Sequence, residues 1–485
     1  MITARLEPLD VIVVAAYLTG MIAIGFWVST RIRKFKDYFL ASGALTTPLL
    51  VCTLVSTYYE IDVTFATAEQ GYYRGLVAWF WWSRPYYIAI FIAAVFLARR
   101  LKKFQFMTLP DVMQHHYGKW ARVSSAVACL LYSLPVTALM GMGVVFGAFG
   151  VSPSIGILVG VLVCLTYTAV GGLWADAITD TIQFVLMCLT LAIVVVPALK
   201  LAGGFEGVRS HLPAAYLTHT GGVSGWLLLA WCCLALTVFV EPAFYQRIFA
   251  AKDVRQVTRA LLIGIFLWAA YDWAVTIVGM AARAAVETGV FPRSLEGKQA
   301  VLAVAAKALP VGLKGAFLAG VLAAAMSSVD TYALLASSNL VYDILRPLFR
   351  PQWDDRRLIL LTRFGIALIL VPSVLLALVY ERVEHAWVLL ASVLVSATFV
   401  PIFGSLLCKP KPHAGLWASV CGLVALVAFQ IFIHTQGTWN EEEQSYVFVK
   451  GAFEIWREYA VLFALPASLA GFVLGQFTGR NCSHD

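Results

Sequence analysis

The sequence predicts an all-α polytopic membrane protein with about thirteen transmembrane helices, and three features carry that expectation. Of its 485 residues, 61% are hydrophobic. Only 13% are charged, where soluble proteins carry roughly 25%. The apolar residues gather in runs near the length of about 20 residues that a helix needs to cross a bilayer. They lie at about 9–29, 45–73, 76–98, 122–149, 153–171, 177–199, 222–245, 258–284, 315–344, 359–379, 385–407, 414–433 and 458–477. This pattern excludes a soluble globule, a disordered chain, a coiled coil and a nucleic-acid reader. The net charge of +8 then reads as loops obeying the positive-inside rule, with no nucleic acid and no protein partner implied.

Taken in order, the first run is long enough to span and is followed by Arg31, Arg33, Lys34 and Lys36, so it reads as a span and not as a cleaved leader. Basic residues recur on alternate loops: Arg99, Arg100, Lys102, Lys103 and Arg122; Arg247, Lys252 and Arg255; Arg356 and Arg357; Lys409 and Lys411. The acidic run Glu441–Glu443 falls on the opposite side. This asymmetry expects a plasma (inner) membrane with the N-terminus outside and the C-terminus cytoplasmic. Thr108-Leu109-Pro110-Asp111 opens a short amphipathic helix on the cytoplasmic side, and another is expected outside at about 296–309. The nine cysteines have no C-x-x-C spacing and read as packing residues. The whole chain, 1–485, reads as one transmembrane domain.

Two spans look interrupted. The second carries Tyr58-Tyr59-Glu60-Ile61-Asp62 in its middle, and the seventh carries Glu241-Pro242, where proline removes a backbone donor. Broken helices at matching places are a mark of transporters built from inverted repeats. Spans 2–6 (about 45–199) and 7–11 (about 222–407) would be those repeats, with 9–29, 414–433 and 458–477 peripheral.

A charge at the centre of a span costs about 2.5–3.5 kcal/mol on insertion scales and therefore marks function. The spans hold Glu60, Asp62, Asp180, Glu241, Asp272 and Asp330 against one cation, Arg84. Such a balance suits cations. The ninth span is the most informative, with Ala323-Ala324-Ala325-Met326-Ser327-Ser328-Val329-Asp330-Thr331. At helical spacing Ser327 shares a face with Asp330 and Thr331, one turn after Ala324. Small residues also serve close helix packing, which explains the alanines but not a carboxylate among three hydroxyls. Alkali cations, like other hard cations, take oxygen ligands. The aromatic run Trp79, Phe80, Trp81, Trp82, Tyr86, Tyr87 reads first as an interfacial belt and second as an amine-binding cage; Tyr58, Tyr59 and Trp273, deeper in the membrane, are better cage residues.

At these residues the sequence resembles the sodium/solute symporter family, of LeuT-like fold. The resemblance rests on Tyr167-Thr168-Ala169-Val170-Gly171-Gly172-Leu173 continuing to Thr179-Asp180-Thr181-Ile182-Gln183, and on Phe106-Met107-Thr108-Leu109-Pro110-Asp111. Tyr245-Gln246-Arg247 with Ala251-Lys252-Asp253, and the Ser327-Ser328 helix, complete it. It covers roughly residues 9–480, with motif spelling nearest the choline-transporter and proline-permease branches. It implies sodium-driven symport of a small solute by alternating access. It also implies a sodium site from backbone oxygens of Tyr58 and Ile61 with Ala324, Ser327 and Ser328. A second cation site would involve Asp180, Asp330 and Thr331, where Asp330 departs from the family's usual hydroxyl and raises a proton as the alternative ion. Glu60 and Asp62 stand where choline transporters have glycines, and Glu241 where sugar carriers have an amide.

The resulting expectation is an amine-bearing solute, choline-like or an amino-acid derivative, held by Glu60, Asp62, Glu241, Tyr59, Arg84 and Trp273. The alternatives are a monocarboxylate, a sugar or another neutral solute, and a membrane sensor module. No nucleophile–base pair, H-E-x-x-H or nucleotide loop suggests an enzyme.

Overall fold

In a bilayer every backbone N–H and C=O must find its partner within the chain, so apolar runs of this length fold as helices. The computed structural model describes residues 6–29, 32–104, 106–349, 352–379, 383–441, 445–451 and 453–478, without the side chains of Ser29, Asp62, Val163, Cys164, Tyr167 and Val170. Among the described residues eleven helices are long and apolar enough to cross a membrane, or twelve if one bent pair counts as a span. The expected thirteen are therefore not reached. The difference lies at 153–171, represented by the apolar helix Pro153–Leu162, which is too short to count. It is the first arm of a helical stretch, Pro153–Leu201, that turns at Gly172 with φ 52° and ψ −155°. A Cβ there would lie 2.3 Å from the Tyr38 carbonyl oxygen, so only glycine fits the turn.

Both expected interruptions are present. Helix Thr47–Tyr58 stops at Tyr59 and Glu60, both non-helical, and a new helix runs Ile61–Arg74. The two halves meet at 52°. In the other span a 3₁₀ turn, Ala235–Phe239, leads through extended Glu241 into helix Pro242–Ala250. Pro242 sits at the start of that helix, where its missing N–H costs nothing. Each break leaves the last carbonyls of one half and the first amides of the next without helical partners.

Close helix crossings position these breaks. Helix Ile61–Arg74 lies against helix Val254–Glu287. A Cβ on Gly71 would fall 2.6 Å from the Thr276 carbonyl oxygen, and one on Gly279 would fall 2.1 Å from that of Ala68. Small residues let two backbones approach this way in membranes. The buried helix Leu313–Ser338 packs on Pro153–Leu201, Thr47–Tyr58 and Ile61–Arg74.

The amphipathic helix after Thr108 forms as Leu109–Tyr117, capped by the Thr108 hydroxyl 3.3 Å from the Asp111 amide. Ala300–Ala308 forms the other short helix. The all-α expectation misses one feature, an antiparallel sheet of Thr438–Asn440, Ser445–Lys450 and Phe453–Trp456. It bridges helices Pro412–Gln436 and Ala460–Thr478, which pack on each other.

Candidate functional site

The break at Tyr59–Glu60 opens onto a cavity. Tyr58, Tyr59 and Glu60 line it from the break itself, and Thr237 and Glu241 from the second break. Trp268 and Asp272 face it one turn apart on helix Val254–Glu287, with Tyr132, Tyr332, Glu384 and Trp387 closing the remaining sides. The Glu241 carboxylate is 1% exposed. Its Oε1 lies 3.4 Å from both the Tyr332 hydroxyl and the Ala243 amide, and Tyr132 is hydrogen-bonded to the same carboxylate. Asp272 accepts a hydrogen bond from the Tyr87 hydroxyl and meets Ser83. Among the described residues lining the cavity there is no lysine, arginine or histidine.

Several expected substrate residues meet here and others do not. Glu60, Glu241 and Tyr59 share the cavity. The side chain of Asp62 lies outside the described residues. Trp273 is not in the lining; its ring stacks on Trp79 at 4.8 Å. Arg84 is also outside the lining, its guanidinium lying over the Phe80 and Trp81 rings at 5.3 and 5.9 Å. The reason is local. Ala78–Ser83 is a π-helical turn, and the extra residue in such a turn rotates the chain after it relative to α-helical spacing. The turn presents Trp82 and Ser83 to the cavity, followed by Tyr86 and Tyr87. These four residues, read as a belt or passed over in the sequence, are cavity walls. Asp272 was visible as an intramembrane charge but not as a neighbour of Tyr59.

Ser327 and Ser328, expected as ion ligands, are fully buried. The Ser327 hydroxyl reaches Ser56 on the first half of the broken span at 3.1 Å. The Ser328 hydroxyl lies 3.1 Å from the Ala324 carbonyl oxygen, so two oxygens share one helix face. Ile61 and Ala324 line one small cavity together. Tyr58 ends the first half, where carbonyls lose helical partners, and Ile61 opens the second, where amides do.

Of the three residues expected at a second cation site, Asp180 and Thr331 both approach the Arg247 guanidinium. Asp330 accepts from Thr168 at 2.6 Å. Thr331 lies 2.9 Å from Asp176 and 2.7 Å from the Arg247 guanidinium. That guanidinium is 1% exposed and pairs with Asp176 at 2.9 Å, while Asp180 stands 3.8 Å away and accepts from Thr53 and Ser56. Arg247 therefore is not a loop cation, as the charge pattern of the sequence reads it, but a buried one. The sequence also passed over Asp176, one helical turn before Asp180 on the same face. Arg122, likewise expected in a loop, is nearly buried and pairs with Asp343 at 2.7 Å and Asp111 at 3.1 Å.

The chain is 24% identical over 410 residues to the osmoregulated proline transporter of Bacillus subtilis, covering 78% of this chain and 80% of that one. It is 24% identical over 439 residues to the human high affinity choline transporter 1, covering 82% and 72%. Its fold superposes on a Na+-coupled sialic acid symporter with TM-score 0.79 at 16% identity, over 98% of both chains. The profile of the sodium:solute symporter family matches residues 38–415. That span holds both broken helices and the Ser327 helix, and it makes the chain a member of the sodium:solute symporter family, a sodium-coupled membrane transporter and not an enzyme.

Proposed function

We propose that this symporter carries an amine-bearing solute, choline-like or an amino-acid derivative. One observation supports the reading above others: the cavity at the two helix breaks is walled by Glu60, Glu241, Asp272 and Glu384 and by aromatic faces, with no basic side chain among the described lining. Carboxylates there repel an anionic solute. Aromatic faces such as Trp268, Trp387 and Trp82 attract a cationic nitrogen. Arg84, expected as a partner for a solute carboxylate, faces Phe80 and Trp81 instead.

Sodium is the coupling ion of the family, and its site in this reading is formed by the Tyr58 and Ile61 backbone oxygens with Ala324, Ser327 and Ser328. The second cation position in this reading involves Asp180, Asp330 and Thr331, beside the Asp176–Arg247 pair. Arg247 pairs with both Asp176 and Asp180, so one negative charge of these two carboxylates remains for a second sodium or a proton. The two halves around the breaks act as inverted repeats, about 45–199 and 222–407. The protein sits in the plasma (inner) membrane with its N-terminus outside and C-terminus inside.

Purified protein in proteoliposomes with an inward sodium gradient tests the proposal. Labelled choline or a labelled amino acid should accumulate, and unlabelled amines should compete. Accumulation of a sugar or a monocarboxylate, with no competition by amines, overturns the substrate assignment.

A further inference from the structure

The cavity has two acidic ends, and their surroundings differ. At one end Glu241 is ringed by Tyr132 and Tyr332, with Glu60 and Tyr58 beside it. At the other end Asp272 sits with Tyr87, Ser83 and Tyr59. Between them stands Trp268, 5.3 Å from the Tyr58 ring and 6.5 Å from the Tyr59 ring. The consecutive tyrosines at the helix break thus part company. Tyr58 turns toward Phe244, three residues beyond Glu241, with ring centroids 5.3 Å apart, and Tyr59 stacks on Tyr271, next to Asp272, at 3.9 Å.

The Asp272 end is prepared for a ligand in a way the Glu241 end is not. Glu241 already accepts from two tyrosine hydroxyls and a backbone amide. Asp272 is 5% exposed, yet its Oδ1 has no hydrogen-bond partner among the described residues, and neither does the Tyr59 hydroxyl. Neither Asp272 nor Glu241 is in an ion pair among the described residues. Leaving buried polar groups unpaired is costly, and a carboxylate is paired most strongly by a charged donor.

Resting on the amine reading above, we infer that the preferred solute carries two cationic nitrogens joined by an apolar chain, as an α,ω-diamine does. One ammonium pairs with Glu241 beside Glu60. The other donates to Asp272 Oδ1 and the Tyr59 hydroxyl. The methylene chain lies along Trp268, whose apolar face suits it. A monoamine satisfies one end and leaves the other carboxylate unpaired. A zwitterionic amino acid sets its own carboxylate against one of the two acidic ends.

Titration calorimetry on the purified full chain in sodium tests this, using α,ω-diamines of three to six carbons, the monoamine of each length, choline and proline. At the best length the diamine should bind at least about tenfold tighter than its monoamine, a difference of about 1.4 kcal/mol. Asp272→Asn should bring that ratio close to one, and Tyr59→Phe should reduce it. If Asp272→Asn does not fold, Tyr59→Phe and Ser83→Ala carry the test alone. A monoamine, choline or proline that binds as tightly as every diamine overturns the two-ended site while the amine assignment stands. An equal loss of diamine and monoamine affinity in both Asp272→Asn and Tyr59→Phe overturns it too. If no amine binds and a sugar or carboxylate does, both readings fall together.

Discussion

Ser327 and Ser328 adjoin in sequence but have different partners, Ser56 across the helix interface and the Ala324 carbonyl within the helix. Each hydroxyl donates its hydrogen in that bond and keeps its oxygen lone pairs for a cation. Removing one such ligand from a desolvated ion should cost on the order of 1–3 kcal/mol, or roughly five- to hundredfold in affinity. Ser328→Ala is therefore expected to raise the sodium concentration for half-maximal uptake by that factor, measured as sodium-dependent flux. If both Ser327→Ala and Ser328→Ala keep the parent sodium dependence, the site is elsewhere. Glu241→Gln keeps the side chain's size but not its charge. Solute affinity should fall more than sodium affinity, read from competition binding at fixed and varied sodium.

At the scale of elements, the breaks do the positioning. Pro242 and the residues around Glu60 end helical hydrogen bonding at two places that face one cavity. Gly172 makes the third turn, and its positive φ together with the nearby Tyr38 oxygen forbids a side chain. Gly172→Ala should cost about 1–3 kcal/mol. Gly20→Ala, where a Cβ meets nothing within 4 Å, should stay within about 0.5 kcal/mol. Thermal unfolding of the two variants in detergent makes the comparison, and equal midpoints would contradict the steric account.

For the whole molecule, Arg247 joins four segments. Its guanidinium lies 3.0 and 3.1 Å from Thr57 and Thr53 on the broken span, 2.9 Å from Asp176 and 2.7 Å from Thr331. Removing one partner of a buried pair leaves an uncompensated charge and typically costs about 3–5 kcal/mol. Arg247→Met should thus destabilise the fold by that amount, and adding Asp176→Asn should recover much of it, seen in the same unfolding assay. Orientation is tested on the same scale. A cysteine placed at Lys34 should react with an impermeant reagent only from the cytoplasmic side, and labelling in intact cells would reverse the assigned topology.

Much of this architecture is legible in sequence because the bilayer enforces it: apolar length yields spans, and buried charge marks the cavity. Hence Glu60 and Glu241, which line the cavity, could be picked out from the order of residues alone. What tertiary structure decided is which charges face each other. The π-helical turn Ala78–Ser83 keeps Arg84 out of the cavity and puts Trp82 and Ser83 into it, a rotation that α-helical periodicity does not predict. Helix crossing at Gly71 and Gly279 placed Asp272 beside Tyr59, more than two hundred residues away in the chain. Arg247 looked like one more loop cation until three helices closed around it. The hydrophobic pattern specifies that segments enter the membrane, whereas pairing of charges depends on helix rotation and crossing, which only packing sets.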